Sequence, residues 1–335
     1  MMVQPLDPSP LIQLATAYWG SATLLAAVRL KIFDALARGP RSSEALAGEL
    51  GADPIAMDTL LTALTSLELI ERGAEGFQNL PLAASFLVSG QPSSLGEALL
   101  YNGDVYPLWG QLDEVIQRGD SARDPEAYLG EDTQKTRHFV YGMHRRALGV
   151  GRAVAATIRL DGTKRLADIG GGPGTYSALL CKKTEGLSAD VLDLPGVVAV
   201  SAEIISEMGL SERVHCRSFD YYRDQLDRDR YDAALISGVL HREQPAQVKK
   251  IFADVAAALP TGARLYISDV MLNDDRSGPL FSAMFALNMR VLSHDGRCHS
   301  VAEQRAWLEE VGFRVHEVYQ LPAPIHYTVI EAERV

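Results

Sequence analysis

Asp168-Ile169-Gly170-Gly171-Gly172-Pro173-Gly174 is the stretch from which the rest of the chain is read. The apolar run Leu166–Ile169 leads straight into the glycines, and a helical pattern begins at about Thr175. That order predicts a strand, a tight turn that brings the backbone close to a ligand, and a helix. Further strands are predicted at Val191-Leu192, Val214–Phe219, Ala233–Ser237 and Leu265–Ile267, with helix-like segments between them. Strand and helix alternating in this way predict an α/β domain built on a doubly wound, parallel sheet. Two β-rich runs, Phe313–Leu321 and His326–Ala332, separated by Pro322 and Pro324, predict an antiparallel hairpin that closes it.

The first hundred residues read differently. From Leu24 to Leu36 the apolar positions recur at helical spacing, Ser42 or Ser43 can cap a helix over Glu44–Leu50, and Asp53-Pro54 opens another. That last helix should set Leu60, Leu61, Leu64 and Leu67 on one face, and Leu69–Arg72, a Gly73/Gly76 turn and Phe77 look like a hairpin. Helix, turn, helix, hairpin is the outline of a winged helix. Five basic against ten acidic side chains in residues 1–100 argue that this unit does not hold DNA, because phosphate contacts supply most of such affinity. The expected division is a helical unit over 1–100, a helical connector over 101–150 and the α/β domain over 151–335.

The 335-residue chain has a net charge of −11, which disfavours nucleic acid or an anionic membrane as its main partner. Cys181, Cys216 and Cys298 form neither a disulfide framework nor a metal-ligand spacing, so a reducing, cytoplasmic location and no metal are expected. Residues 8–28 carry no charge, yet Met1–Asp7 offers no basic leader, and Gln13, Thr16, Gly20, Ser21 and Thr23 interrupt the stretch. It reads as a small-residue helix packed against protein.

Asp193, nineteen residues after Gly174, sharpens the glycine turn. A carboxylate there can accept both hydroxyl hydrogens of a ribose, which suits any ribose-bearing ligand, NAD included. The spacing lacks the third, helix-packing glycine of the dinucleotide fingerprint, and Asp168 would repel a pyrophosphate. An acid at that place suits a ligand carrying a cation, such as S-adenosylmethionine with its ammonium and sulfonium groups.

Asp168–Gly174, Asp193-Leu194-Pro195, Phe219-Asp220-Tyr221-Tyr222, Leu240-His241 and Asp295-Gly296-Arg297 together resemble the motifs of one family. It is that of the S-adenosylmethionine-dependent small-molecule O-methyltransferases, the plant caffeate and acetylserotonin type with bacterial natural-product relatives. The resemblance spans nearly the whole chain. It implies a class I methyltransferase fold, Rossmann-like, with an N-terminal, mainly α, winged-helix dimerisation domain, hence a homodimer. It implies S-adenosylmethionine as cofactor, S-adenosylhomocysteine as product and a hydroxylated aromatic small molecule as acceptor. By position it sets Gly170, Gly172 and Gly174 beside the cofactor, Asp193 on the ribose with Leu194 next to it, Asp220 on the adenine amino group and Tyr221 against the ring. Met143 matches a methionine that lies against the cofactor, and Ser237 falls where plant members have a lysine near the adenine.

His241 follows the buried run Ala233–Leu240 and should emerge at the carboxyl end of a strand, where open α/β sheets bind ligands. A neutral imidazole there is suited to taking a phenolic proton, and Asp269, ending the next strand, is placed to orient it. His144, Met289, His294 and Cys298 are candidates for the acceptor pocket, with His299 close by. Two departures stand out: family members commonly read His-Asp-Trp where this chain has His241-Arg242-Glu243, and a family glutamate is replaced by Cys298. They leave open the same scaffold running different chemistry: C-methylation, hydroxylation, decarboxylation or pericyclic catalysis. A non-catalytic ligand-sensing regulator is a further alternative.

Overall fold

The computed structural model describes residues 6–91, 93–122, 124, 128–322 and 325–335; Met1–Pro5 and Pro324 lie outside the described residues. The chain divides into two compact units, Met1–Asp104 and Val105–Val335.

In the first unit, α1 (Ser9–Thr16) and α2 (Tyr18–Arg29) precede α3 (Ile32–Leu36), α4 (Ser43–Leu50) and α5 (Pro54–Ser66). The hairpin β1 (Ile70–Gly73) and β2 (Gly76–Asn79) follows, then α6 (Pro81–Phe86) and α7 (Gly96–Trp109), which runs across the division between the units. Ser42 caps α4 by accepting from the Ala45 amide at 3.2 Å. Asp53 caps α5 through the amides of Ile55 and Ala56, with Pro54 pre-set for the first helical position. Ile32, Phe33, Leu46, Met57, Leu61, Leu64 and Ile70 form the core.

Two local expectations change. The helical pattern from Leu24 to Leu36 is broken where Lys31 takes a left-handed backbone, φ 57°, so it belongs to two helices. Leu67 is 43% exposed, because α5 stops at Ser66 and leaves it in the cap. Ser9–Arg29 is long and apolar enough, with a mean hydropathy of 1.4, to cross a membrane by length and composition alone. It exposes Leu11, Ile12, Leu14 and Trp19.

The second unit adds α8 (Leu112–Arg118) and the long α9 (Thr133–Thr157) before its sheet. The alternation then runs β3 (Arg165–Ile169), α10 (Thr175–Lys183), β4 (Ser188–Asp193), α11 (Pro195–Glu207), β5 (Val214–Ser218), β6 (Ala233–Ser237), α12 (Pro245–Ala258) and β7 (Arg264–Asp269). It ends with α13 (Leu280–Leu292), α14 (Val301–Glu310), β8 (Phe313–Gln320) and β9 (Thr328–Arg334). Strand order is β5-β4-β3-β6-β7-β9-β8; the first five are parallel, and β9 inserts antiparallel between β7 and β8.

One sheet face buries Leu166, Leu235, Tyr266 and Val329 with side chains of α9 and α10. The other buries Ala167, Ile236, Leu265 and Ile330 with Val248, Phe252 and Leu308 of α12 and α14. A sheet covered on both faces explains why its inner strands β3, β6 and β7 read as apolar runs rather than alternating ones. The chain reverses its winding between β3 and β6. Ligands of such sheets bind at that reversal, beyond the carboxyl ends of the strands.

Candidate active site

The turn after β3 is made of left-handed glycines: Gly170, Gly172 and Gly174 have φ of 63°, 52° and 71°. A Cβ on Gly170 would lie 2.5 Å from Val239 Cγ2, so a side chain cannot fit there. A Cβ on Gly172 would meet nothing within 4 Å, so this glycine borders open space. The Gly172 amide donates to Asp193 Oδ2 at 2.7 Å, and the Leu194 amide donates to Oδ1 at 2.8 Å. The carboxylate that ends β4 is therefore aimed by the glycine turn itself. Burial pushes its pKa up against the pull of these two amides.

Asp168, at 1% exposure, accepts from Ser177 Oγ at 2.6 Å through Oδ2, while its Oδ1 has no partner among the described residues. Burial, with the charge of Asp193 adding to it, pushes its carboxyl up to about 7. His144 on α9 shares a hydrogen bond of 2.8 Å with Thr175, the first residue of α10, so it packs against the glycine turn. Burial, followed by the charge of Arg145, pushes its imidazole down to about 4. Met143 beside it is half-buried, as is Ser237 at the end of β6.

Beyond β5 the chain turns back beside Asp193, whose carbonyl accepts from the Phe219 amide at 2.8 Å. Asp220 Oδ1 accepts from the Tyr222 amide at 2.9 Å, and the Tyr221 and Tyr222 rings tilt together with centroids 4.9 Å apart. Arg242 acts electrostatically on Asp193, Tyr221 and Tyr222 alike.

His241 lies on a single 3-10 turn, Leu240–Arg242, past the end of β6. Its Nδ1 is 2.6 Å from Asp269 Oδ1, and its amide donates to Oδ2 at 3.3 Å. The Val270 amide also donates to Oδ1, at 2.7 Å, so Asp269 is a fixed acceptor. A carboxylate at Nδ1 assigns the imidazole proton to that nitrogen and leaves Nε2 with a free lone pair, the state a general base requires. Phe285 of α13 meets the imidazole edge to face at 5.0 Å.

The other predicted pocket residues divide. Cys298 is 1% exposed, and burial, reinforced by the charge of Asp269, pushes its thiol upward. Met289 is buried on α13. His294 instead points outward, 64% exposed, and pairs with Asp120 at 2.5 Å, because the segment after α13 runs along the surface. His299 is buried with Nε2 against the carbonyls of Leu240 and Glu243, so it braces the turn that carries His241.

Sequence reasoning missed Phe285, Asn288 and Tyr327. Asn288 accepts from Trp109 Nε1 at 3.0 Å, and the spacing Phe281, Phe285, Met289 could have marked one face of α13. Tyr327 directly precedes Thr328, the register partner of Asp269. Burial pushes its phenol up to about 12, and Arg146, Asp269 and Cys298 all act on it. Among the described residues, no group of three or more His, Cys, Asp or Glu side chains is placed to hold a metal ion.

The family model for the O-methyltransferase domain matches residues 122–314, and that for the O-methyltransferase dimerisation domain matches residues 12–89. The chain belongs to the O-methyltransferase family. The 3-hydroxy-5-methyl-1-naphthoate 3-O-methyltransferase of Streptomyces sahachiroi is 33% identical over 91% of this chain and 89% of that protein. The N,N-dimethyltransferase OxyT of Streptomyces rimosus is 32% identical over 96% of each. Human N-acetylserotonin methyltransferase, solved in complex with SAM, has a TM-score of 0.87 at 24% identity over 99% of both chains and shares the fold. The family, the α/β methyltransferase fold and the N-terminal dimerisation domain expected from the motifs are thus found. As an O-methyltransferase, the protein has its glycine turn, Asp193 and the His241–Asp269 pair along the carboxyl edge of one sheet.

Proposed function

We propose that the protein transfers a methyl group from S-adenosylmethionine to a hydroxyl of an aromatic small molecule, with His241 as general base, working as a cytoplasmic homodimer. The observation that carries this reading is the 2.6 Å contact between His241 Nδ1 and a doubly fixed Asp269. When bound, S-adenosylmethionine supplies an electrophilic methyl group. The residues suit that ligand. Gly172 borders open space, Asp193 keeps lone pairs for two hydroxyls after its two amide bonds, and the partnerless Asp168 Oδ1 favours a cationic neighbour. Asp220 and Tyr221 would take the adenine, with Met143, Leu194 and Ser237 along the same edge.

His241 Nε2 takes the acceptor proton, and Asp269 stabilises the imidazolium that results. Holding the acceptor oxygen in line is the larger part of the task. Phe285, Met289 and Trp109, the last fixed through Asn288, offer apolar and aromatic surface to a flat acceptor. The named aromatic substrate of the Streptomyces sahachiroi relative supports an aromatic acceptor. With Cys298 an uncharged thiol, His241 has one supporting acid, which is enough to fix its tautomer. Incubation with S-adenosylmethionine and a panel of hydroxylated naphthoates and phenols should give a product heavier by one methylene unit. A product with any other mass change would overturn the chemistry.

A second copy covering the apolar face of α1 and α2 accounts for Leu11, Ile12, Leu14 and Trp19, and the match to a dimerisation domain over residues 12–89 supports it. Three free thiols fit a reducing compartment. Light scattering should find a dimer at micromolar concentration; a stable monomer would reject this part of the reading.

Asp168 makes cofactor affinity pH-dependent. Its carboxyl, raised to about 7 by burial with Asp193 nearby, is largely protonated below neutrality in the free protein. A cationic ligand lowers that pKa, so binding releases a proton. Affinity should therefore fall by up to about tenfold per pH unit below 7 and level off above it. Asp168→Asn should flatten the profile measured by calorimetry with S-adenosylhomocysteine; an unchanged slope would reject the assignment.

A further inference from the structure

Glu243, next to Arg242 on the turn that carries His241, is 2% exposed, and its carboxylate has no part in the methyl transfer proposed for His241. Both oxygens are engaged: Tyr221 donates to Oε1 at 2.8 Å and Tyr222 donates to Oε2 at 2.6 Å. Burial and the charge of Glu243 push both phenols up, so they stay protonated and remain donors. A buried carboxylate is costly unless its lone pairs are filled, so each phenol holds the other in place through it. Tyrosine pinned at its hydroxyl cannot swing about its side-chain bonds, and the two tilted rings become a fixed wall.

The segment that carries these rings runs beside Asp193. Phe219, two residues before Tyr221, is bonded to the Asp193 carbonyl, and the Arg242 charge reaches Asp193 and both tyrosines. Glu243 also closes the turn that holds His241, its amide donating to the Leu240 carbonyl at 3.1 Å while His299 bonds its own carbonyl. We infer that Glu243 is a positioning residue for the cofactor: it clamps Tyr221 and Tyr222 into a preformed wall for the adenine ring beside Asp193. The inference rests on the reading that S-adenosylmethionine occupies this edge. A preformed wall raises affinity by removing the ordering cost of binding. Its contribution therefore lies in cofactor affinity and leaves the chemical step alone.

Calorimetry with S-adenosylhomocysteine and with adenosine, on wild type, Glu243→Gln, Tyr221→Phe, Tyr222→Phe and Asp193→Ala, tests it together with steady-state kinetics. Glu243→Gln and Tyr221→Phe should each weaken both ligands roughly tenfold and raise KM for S-adenosylmethionine alike, with kcat at saturation within about twofold of wild type. A lower kcat with unchanged KM would overturn the clamp and make Glu243 a support of the His241 turn. Wild-type affinity in Glu243→Gln, with Asp193→Ala impaired, would reject the clamp and leave the cofactor reading standing. Failure of the wild type to bind S-adenosylhomocysteine would remove both. If Glu243→Gln does not fold, the two Tyr→Phe variants, each lacking one oxygen, carry the same comparison.

Discussion

Replacing His241 with alanine is expected to lower kcat about 10²–10⁴-fold while S-adenosylhomocysteine binds with nearly wild-type affinity. Loss of the imidazole removes the proposed proton acceptor, which the fixed Asp269 carboxylate holds in a defined tautomer. Alignment of the acceptor, which the proposed reading assigns to α13 and Trp109, should survive and set the residual rate. Alanine also strips Asp269 of its side-chain partner, so a stability loss could imitate a catalytic one. His241→Gln and Asp269→Asn separate the two. Glutamine can return an amide hydrogen to Asp269 but is no base, and should be as slow as alanine with its fold intact. Asparagine at 269 no longer fixes the Nδ1 proton and should lose much of the rate with His241 still present. Turnover within a few-fold of wild type in His241→Gln would end the general-base assignment. The acceptor would then lose its proton by another route, and the role of the His241–Asp269 pair would be structural.

An interaction is legible in the sequence where it is local. The glycine turn, the caps at Ser42 and Asp53 and the strand ends bearing Asp193 and Asp269 are set by neighbours in sequence, and all were legible there. The break at Lys31 was invisible because apolar spacing runs through it unchanged; only the left-handed backbone reveals it. Tyr327 reaches the sheet edge that carries Asp269 because β9 returns antiparallel with Thr328 opposite Asp269, a register that pairs residues far apart in the chain. In the sequence Glu243 is legible only as a departure from the His-Asp-Trp pattern that the resemblance implies; its role depends on Tyr221 and Tyr222, which meet its two oxygens from a distant loop. His144 was marked by its type and its place beside Met143, but which way it turned depended on the packing of α9 on α10.

Asp193→Ala is expected to abolish measurable cofactor binding, weakening S-adenosylhomocysteine by about 10²-fold or more in calorimetry. The size of the effect follows from the carboxylate's double duty. It accepts the amides of Gly172 and Leu194, and so fixes the glycine turn; on the proposed reading its remaining lone pairs take the ribose hydroxyls. Alanine removes both at once, leaving two amides without an acceptor at the mouth of the site. Asparagine is the informative variant. Its side-chain oxygen can replace one carboxylate oxygen, but its NH2 group must then face the other backbone N–H, donor against donor. It should therefore lose at least about tenfold, although its volume barely differs from that of aspartate. At saturating S-adenosylmethionine, any turnover retained by Asp193→Asn should approach the wild-type kcat, the reverse of His241→Gln, which binds and does not turn over. A pair of variants failing in these opposite ways would assign binding to the β4 end of the sheet and proton transfer to the turn after β6. If Asp193→Asn instead bound normally and lost kcat, the ribose would not lie at the β4 end, and the glycine turn would need another ligand.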